Sequence, residues 1–349
     1  MPDKILSAFN LAPDARVIPH GTGLINHTWE VRSEKGHYIL QQINGQVFSH
    51  PSFIAENIEM VAGYLADHYP QAVFPRPIKA LDNKTLVQKN GSYFRLYPFI
   101  ADSVTIDVVN TPLQAFEAAK KFGELTHMLA GFPAERLHET LPGFHNLSLR
   151  YKAFRTALEN GRPDRLHNAQ QLIRYLESQD HLVKKYERII TDPGFKHRVT
   201  HHDTKISNVL FNKTGKGICV IDLDTLMPGY FISDVGDMLR TYLSPVSEEE
   251  KDISRIVVRE EYFQAIVKGY MEEMHDDLSH TEKEAFIYAG EFMMYMQALR
   301  FLTDHLMDDI YYGRKYEEHN FIRALNQATL LRLFQEKAPS FHSFIRQFL

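Results

Sequence analysis

The stretch that decides the fold carries two polar motifs a short distance apart. The first reads His201-His202-Asp203-Thr204-Lys205-Ile206-Ser207-Asn208, and the second reads Ile218-Cys219-Val220-Ile221-Asp222-Leu223-Asp224. Phosphoryl transfer needs one carboxylate near the acceptor hydroxyl, together with an Asn and a second Asp that hold magnesium on the phosphates. The order and spacing of these residues therefore predict phosphotransferase chemistry.

Each residue of the set has a predicted role. Asp203 is the candidate catalytic carboxylate, because a side chain on a tight loop orients the acceptor hydroxyl and takes its proton. Asn208 follows five positions later, where the loop returns its amide oxygen to a metal bound by Asp222. Any one of these residues alone is more simply a turn former, but the ordered set favours a site with one base and one metal.

Strand-like and helical patterns divide the chain into two parts. Residues from about 15 to 100 alternate in the manner of strands, with one helix from about 52 to 68. The second part is mostly helical, and its patterns cover about 111–129, 148–160, 164–190, 249–275, 281–307 and 317–335. We therefore predict an α+β fold, with a small, mostly antiparallel sheet that carries one helix and a larger, mainly helical part.

Length and composition are those of an ordinary globular protein. The 349 residues are enough for two lobes with their own cores, and 39 Lys and Arg against 44 Asp and Glu give a net charge of −5. No apolar run approaches the roughly 18 residues that cross a bilayer, and the first ten residues lack a signal-peptide core. The single cysteine, Cys219, is expected in the core. We predict a cytoplasmic protein without a nucleic-acid or membrane partner.

The motifs resemble the catalytic core of the aminoglycoside phosphotransferase and choline kinase superfamily. In that superfamily the loop reads His-x-Asp with Asn five residues after the Asp, and the metal-binding Asp lies in an Ile-Asp motif. The matching residues here are His201, Asp203, Asn208 and Asp222. The resemblance implies a protein-kinase-like two-lobed fold, with a nucleotide-binding lobe at 1–100 and a catalytic and sugar-binding lobe at 101–349. It also implies that His201 holds the loop by hydrogen bonding and that Asp234 braces it.

Longer stretches resemble the N-acetylhexosamine 1-kinases within that superfamily. They include Arg95-Leu96-Tyr97-Pro98-Phe99-Ile100, the segment 221–229, and Arg300-Phe301-Leu302-Thr303-Asp304. This resemblance implies a kinase that uses ATP and Mg²⁺ to phosphorylate the anomeric hydroxyl of N-acetylglucosamine or N-acetylgalactosamine. Its partners would be ATP and the sugar, and we expect a monomer or a weak homodimer.

The nucleotide side departs from other kinases in one residue. Kinases usually place a Lys on the third strand to pair with the α- and β-phosphates, whereas this chain has Gln41 there. We expect the missing charge from Lys205, and Glu56 on the small-lobe helix loses its usual lysine partner. Two further segments are expected to contact the nucleotide: the turn Gly21-Thr22-Gly23 and the hinge Pro98-Phe99-Ile100.

Polar and aromatic residues are the candidates for binding the sugar, because carbohydrate recognition combines directional polar groups with an aromatic platform. The candidates are His27, Asp224, Arg300, Phe144 and Tyr242, with His145 as a further ring. Arg300 is supported by the sugar-kinase stretch. For His27 and the three rings, packing or solvation is at least as good an interpretation.

Two alternatives to a sugar kinase remain open at this point. The first is another member of the superfamily, which acts on homoserine, choline, methylthioribose or an aminoglycoside. The second is a nucleotide-binding pseudokinase, an idea motivated by Gln41. The retained Asp203, Asn208 and Asp222 favour an active enzyme.

Overall fold

The first part of the chain forms a five-stranded antiparallel sheet. The computed structural model describes residues 2–12, 14–21 and 25–349. The strands are β1 (Arg16–Pro19), β2 (His27–Ser33), β3 (Gly36–Ile43), β4 (Val87–Lys89) and β5 (Ser92–Pro98), in the spatial order β1-β2-β3-β5-β4. All four strand pairs are antiparallel.

One face of this sheet packs in a small hydrophobic core that is separate from the large one. Leu40 of β3 lies opposite Leu96 of β5, and both are buried. The 3₁₀ helix Pro2–Phe9 packs Ile5 and Leu6 against the same apolar face. Because side chains alternate along a strand, the residues next to these leucines in the chain point to the other face of the sheet. That second face carries Gln41 and Arg95, which are also cross-strand partners.

The helix α1 (Pro51–His68) joins the sheet to the rest of the molecule. It begins with Pro at its first position, and its buried residues recur at helical spacing. These residues belong to the large core of the helical part and not to the core under the sheet. Asn57 on the same helix donates to the carbonyl oxygens of His138 and Leu226, at 2.8 and 2.9 Å. The small lobe is therefore anchored to the large one by both apolar and polar contacts.

The second part contains ten helices and five short strands in the described residues. In chain order they are β6 (Ser103–Val104), α2 (Pro112–Met128), α3 (Leu147–Asn160), α4 (Pro163–Asn168), α5 (Gln170–Ser178), α6 (His181–Ile189), β7 (Arg198–Thr200), β8 (Val209–Asn212), β9 (Gly217–Val220), β10 (Met227–Gly229), α7 (Phe231–Tyr242), α8 (Glu260–Met274), α9 (His280–Glu284), α10 (Phe286–Leu306) and α11 (His319–Ile345). The strands form two small sheets, β6-β8-β9 and β10-β7. Both sheets flank the segment 201–208.

The predicted fold class is confirmed, but four of the helical patterns have other bounds in the structure, and one of them, 281–307, is divided at Ala285 into α9 and α10. The pattern 249–275 predicted one helix, yet α8 begins at Glu260 and is preceded by a 3₁₀ turn that Asp252 caps. The pattern 164–190 is split into three helices, because the backbone leaves the helical region between them. The last helix continues past 335 and includes Pro339. Periodic apolar spacing persists across such breaks, so it does not locate them.

The junction between the two parts lies close to the predicted one. The five-stranded sheet ends at Pro98, and the next strand, β6, already pairs with β8 of the helical part. The exact division at residue 100 stays a prediction. Among the residues that the structure describes, no helix is long and apolar enough to cross a membrane.

A buried ion pair holds the strand that leads into the 201–208 segment. Arg198 of β7 donates two hydrogen bonds to the carboxylate of Glu282, which is fully buried on α9. Glu282 also accepts the backbone N–H groups of Lys196 and Ser279, at 3.0 and 2.9 Å. All of these contacts depend on one carboxylate.

We expect Glu282→Gln to lower the free energy of unfolding by about 3 kcal/mol, because it leaves a buried guanidinium without its counter-charge. Urea unfolding measures this loss. The control is Glu284→Gln on the same helix, where the carboxylate is exposed and a change below about 0.5 kcal/mol is expected. Equal stabilities of the two variants would contradict this role of Glu282.

Candidate active site

The segment 201–208 is a loop whose backbone is held by carboxylates of α7. Asp234, 1% exposed, accepts the N–H of His201 at 2.9 Å and that of His202 at 2.7 Å. Asp237 accepts the N–H of Thr204 at 2.8 Å. His202 has a positive φ of 66°, a conformation that turns consecutive N–H groups toward one acceptor. We refer to residues 201–208 as the catalytic loop.

The side chain of His201 lies inside the loop and not toward a substrate. Its Nε2 lies 2.9 Å from the carbonyl oxygen of Ile221, and its Nδ1 accepts the backbone N–H of Asp203 at 3.3 Å. The ring therefore carries its proton on Nε2 and links the catalytic loop to the end of β9. This position agrees with the structural role implied for His201, which itself stays a prediction.

Asp203 is surrounded by groups that stabilise its ionised form. Asn208 donates its amide to the backbone carbonyl of Asp203 at 2.8 Å and to the carboxylate at 3.1 Å. The Lys205 ammonium lies 3.0 Å from the other carboxylate oxygen, and its side chain is 52% exposed. Burial alone would raise the pKa of Asp203, but the charge of Lys205 and the hydrogen bonds from Lys205 and Asn208 lower it.

Asn208 and Asp222 provide the oxygen atoms that would hold magnesium. The N–H of Ile221 donates to the carbonyl of Asn208 at 2.8 Å, which brings the two segments together. The amide oxygen of Asn208 accepts no hydrogen bond from the described residues, and the Asp222 carboxylate is exposed. Crowding by protein atoms and the nearby carboxylates of Asp224 and Asp203 raise the pKa of Asp222 to about 6. A hard cation such as Mg²⁺ suits this donor set.

No larger ligand cluster accompanies these two residues. Within the described part of the chain, no group of three or more His, Cys, Asp or Glu side chains is arranged to hold a metal ion. A magnesium ion at this site would therefore take its remaining ligands from phosphate oxygens and water, as is usual for Mg²⁺ in phosphoryl transfer.

A guanidinium lies beside Gln41, where the lysine of other kinases would be. Arg95 of β5 donates from Nε and Nη2 to the Gln41 amide oxygen, at 3.0 and 2.9 Å. Its Nη2 also forms an ion pair with Asp224 of the large lobe. Arg95 carried no predicted role. The available signal was an arginine in the middle of an otherwise apolar and aromatic strand.

Two of the predicted sugar ligands, Asp224 and Tyr242, are buried and bonded to protein groups. Asp224 is buried, and besides Arg95 it accepts a hydrogen bond from Asn26 at 2.6 Å, so its carboxylate joins the two lobes. Tyr242 is fully buried and donates its hydroxyl to the carbonyl of Thr204 at 2.5 Å. Both side chains thus support the catalytic loop or the contact between the lobes, and their sugar-binding roles stay predictions.

The remaining nucleotide-side predictions fall in different places. Gly21 has a positive φ of 74°, as a tight turn requires, whereas Thr22 and Gly23 lie outside the described residues. In the hinge, Phe99 donates its N–H to the backbone carbonyl oxygen of His37 at 3.0 Å, and its ring stacks on the His37 ring. Pro98 is exposed, and Ile100 accepts a hydrogen bond from the Ser103 hydroxyl.

Two other predicted residues of the small lobe are accessible. His27 is exposed on β2, with its ring 6.1 Å from that of Trp29. Glu56 of α1 pairs with His138 at 2.7 Å, and more than half of its side chain is exposed. Glu56 therefore takes no part in an ion pair with the sheet.

Arg300 and Phe144 lie in contact with each other, within a group of aromatic rings and guanidinium groups. The Arg300 guanidinium lies 5.2 Å from the centre of the Phe144 ring and 5.5 Å from that of Tyr312. Phe144 stacks on His145, with ring centres 4.3 Å apart. Asp304, one turn after Arg300, accepts backbone N–H groups of the following loop instead of pairing with it. We refer to Phe144, His145, Arg150, Arg300 and Tyr312 as the acceptor-side cluster.

The acceptor-side cluster is positively charged and contains no acid partner. Arg150 donates to the carbonyl oxygens of Gly143 and Phe144, and Arg300 to the side chain of Gln297. No carboxylate of the described residues forms an ion pair with either arginine. Burial and the charge of Arg300 lower the pKa of Arg150.

A chain of hydrogen bonds fixes the tautomer of His145. Thr200 donates its hydroxyl to the carbonyl of Met227, so its oxygen accepts from His202 Nε2 at 2.7 Å. His202 Nδ1 then accepts from the Ser233 hydroxyl at 2.8 Å, and Ser233 accepts from His145 Nδ1. Burial lowers the pKa of His202 to about 3 and that of His145 well below its usual value. His145 is therefore neutral, with Nε2 as a hydrogen-bond acceptor.

The fold and this site together define a protein-kinase-like phosphotransferase. Residues 16–266 match the model of the phosphotransferase enzyme family, and the chain belongs to that family. The predicted superfamily is confirmed, whereas the specificity for N-acetylhexosamines stays a prediction.

Solved structures of the same superfamily share the fold over nearly the whole chain. A microcompartment-associated aminopropanol kinase is 16% identical, covers 97% of each chain and gives a TM-score of 0.68. A spectinomycin phosphotransferase in complex with ADP and its substrate is 13% identical, covers 96% of this chain and 97% of its own, and gives 0.60. A choline kinase from Streptococcus pneumoniae is 14% identical, covers 95% and 97%, and gives 0.53.

Glu248 links the acceptor side to the helices beneath it. It accepts hydrogen bonds from Arg240 and Arg323, and three-quarters of its side chain is buried. Burial alone would raise the pKa of Glu248, but the two guanidinium groups lower it to about 2. Its ionised form therefore stabilises the fold fully above its ordinary pKa of 4.5, and this contribution is lost as the pH falls toward 2.

We expect the wild-type protein to lose stability relative to Glu248→Gln as the medium is acidified. Between pH 6 and pH 3 the difference in the free energy of unfolding should shrink by about 2 kcal/mol. The measurement is urea unfolding at several pH values, and Glu336→Gln, an exposed carboxylate of α11, is the control. A difference that does not change with pH would contradict the assigned ion pairs.

Proposed function

We propose that this protein is an ATP- and Mg²⁺-dependent kinase that phosphorylates the anomeric hydroxyl of an N-acetylhexosamine. Membership of the phosphotransferase enzyme family supports the reaction class. The observation that carries the choice of acceptor is the pair of arginines, Arg150 and Arg300, without any carboxylate partner. The resemblance of the segments 95–100 and 300–304 to hexosamine kinases agrees with it.

The charge of the acceptor-side cluster favours an uncharged, oxygen-rich acceptor. Aminopropanol and choline are cations, and a site for a cation offers carboxylates or open aromatic faces. Here Arg300 already lies against the faces of Phe144 and Tyr312. Guanidinium groups donate hydrogen bonds and accept none, so they suit sugar hydroxyl and acetamido oxygens.

His145 complements the two arginines in hydrogen-bond direction. Its neutral ring leaves Nε2 as an acceptor, whereas Arg150 and Arg300 are donors only. A sugar hydroxyl donates one hydrogen bond and accepts others, so it can satisfy both kinds of partner. His145 is connected to the catalytic loop through Ser233 and His202, and His202 adjoins Asp203 in sequence.

In the proposed mechanism, Asp203 orients the anomeric hydroxyl and accepts its proton as the bond from that oxygen to the γ-phosphorus of ATP forms and the bond from the γ-phosphorus to the oxygen of the ADP leaving group breaks. The lowered pKa makes Asp203 a weak base, which suits a loose transition state in which the proton leaves late. Asn208 and Asp222 would hold magnesium, which neutralises charge on the phosphates when bound. Lys205, half exposed beside Asp203, is placed to contact the transferred phosphoryl group.

Homoserine is the second candidate acceptor. Its carboxylate would suit the unpaired arginines of the acceptor-side cluster. Its ammonium group would need an acid, and Asp304, one turn from Arg300, already accepts the N–H groups of Tyr311 and Tyr312. We therefore rank homoserine below the hexosamines.

A panel of acceptors tests the proposal. With ATP and magnesium, we expect catalytic efficiency for N-acetylglucosamine or N-acetylgalactosamine to exceed that for choline and aminopropanol by at least about 100-fold, the equivalent of a few kcal/mol. Phosphorus NMR should show an anomeric phosphate that mild acid hydrolyses. An acid-stable product, or a higher efficiency with a cationic acceptor or homoserine, would contradict the proposal.

The same assay separates the role of Arg300 from a general effect of charge. Arg300→Gln should lower efficiency with the sugar by about tenfold or more, because a buried hydrogen-bond donor is lost. The matched control is Arg155→Gln on α3, an exposed arginine paired with Glu177, which should leave efficiency unchanged.

A further inference from the structure

Arg95 combines burial, charge and an unused hydrogen-bond donor at the nucleotide end of the cleft. It is 2% exposed, and its Nη1 has no hydrogen-bond partner in the described part of the chain. A buried donor without a partner costs about 1–3 kcal/mol, more when charged, so such a group indicates a ligand that completes it.

The position of Arg95 matches that of the lysine that the third strand lacks. Gln41 holds the lysine position on β3, and Arg95 is its direct cross-strand partner on β5. The fork of two hydrogen bonds from Arg95 to the Gln41 oxygen fixes the plane of the guanidinium. The positive charge that other kinases carry on the third strand therefore lies here on the neighbouring strand, directly opposite the same position.

Asp224 takes the place of the glutamate that pairs with the lysine in protein kinases. In those enzymes the lysine of the third strand pairs with a glutamate of the small-lobe helix. Here Glu56 of that helix pairs with His138, and the counter-charge for Arg95 comes from Asp224, two residues after Asp222. Asn26 holds the second oxygen of Asp224. The ion pair thus connects the small lobe to the segment that carries the proposed metal ligand.

We propose that Arg95 is the cation that binds the phosphates of the nucleotide, held in the cleft by Gln41 and Asp224. The proposal rests on the proposed function, because it assigns a part of the same phosphotransfer site. Arginine suits this task, since its planar fork engages an amide oxygen, a carboxylate and a phosphate from separate N–H groups. The proposal also accounts for Gln41. Its amide oxygen accepts hydrogen bonds from the Arg95 guanidinium, whereas the ammonium group of a lysine at this position would repel that guanidinium.

The test compares binding of ATP, ADP and adenosine by calorimetry in the presence of magnesium, without an acceptor. For Arg95→Gln we expect affinity for ATP and ADP to fall by about tenfold or more, with adenosine changed by less than about twofold. A merely structural role would affect all three alike. The control is Arg32→Gln on β2, an exposed arginine paired with Glu30, which should leave all three affinities unchanged.

A double variant excludes an indirect effect of the unpaired Asp224. Arg95→Gln with Asp224→Asn removes both charges and keeps the shape of the pair. We expect it to bind ATP as weakly as the single variant does. Recovery of wild-type ATP affinity would overturn the proposal, since the loss would then come from the carboxylate, and so would an unchanged ATP affinity in Arg95→Gln.

These results stay separate from the proposed function. If the wild-type protein binds ATP no better than adenosine, the phosphotransferase proposal itself fails. If it prefers ATP and the Arg95 variants keep that preference, only the role of Arg95 is overturned.

Discussion

The site depends on one buried carboxylate. Asp234 accepts two consecutive backbone N–H groups of the catalytic loop, those of His201 and His202. Asp237, one turn later on α7, accepts a third, that of Thr204. Without Asp234, the left-handed backbone at His202 would leave these buried N–H groups without an acceptor, which costs free energy. The helix therefore defines the conformation from which Asp203 and Asn208 project.

The two sides of the cleft differ in how their charges are arranged. On the nucleotide side Arg95 is paired with Asp224, so the lobes are joined where the phosphates would lie. On the acceptor side Arg150 and Arg300 have no acid partner, while the nearby Glu248 is neutralised by two other arginines. This distribution of charge is the basis for proposing an anionic nucleotide and an uncharged sugar as the two substrates.

The sequence was sufficient for the fold class and for the phosphotransferase family, because both follow from local patterns, whereas the roles of the loop residues stay predictions. Strand alternation and helical spacing predicted the sheet and most helices, whereas the start of α8 depends on contacts of Arg259 with the carbonyls of Tyr242 and Leu243. The role proposed for Arg95 could not be predicted, because it depends on a hydrogen bond to Gln41, which is 54 residues away in the chain. The burial of Tyr242 and Asp224 could not be predicted, because burial of a polar residue is a tertiary property that spacing does not encode.

The most direct test of the account is single-turnover transfer by Asp203→Asn. The variant keeps the shape of the side chain but loses the charge that orients the acceptor hydroxyl and takes its proton, so the rate should fall by at least about 100-fold. Affinity for ATP should stay within about threefold of wild type, since Asn208 and Asp222 remain. A variant that transfers phosphate at more than a tenth of the wild-type rate would contradict the assignment of Asp203, and with it the central claim about this loop.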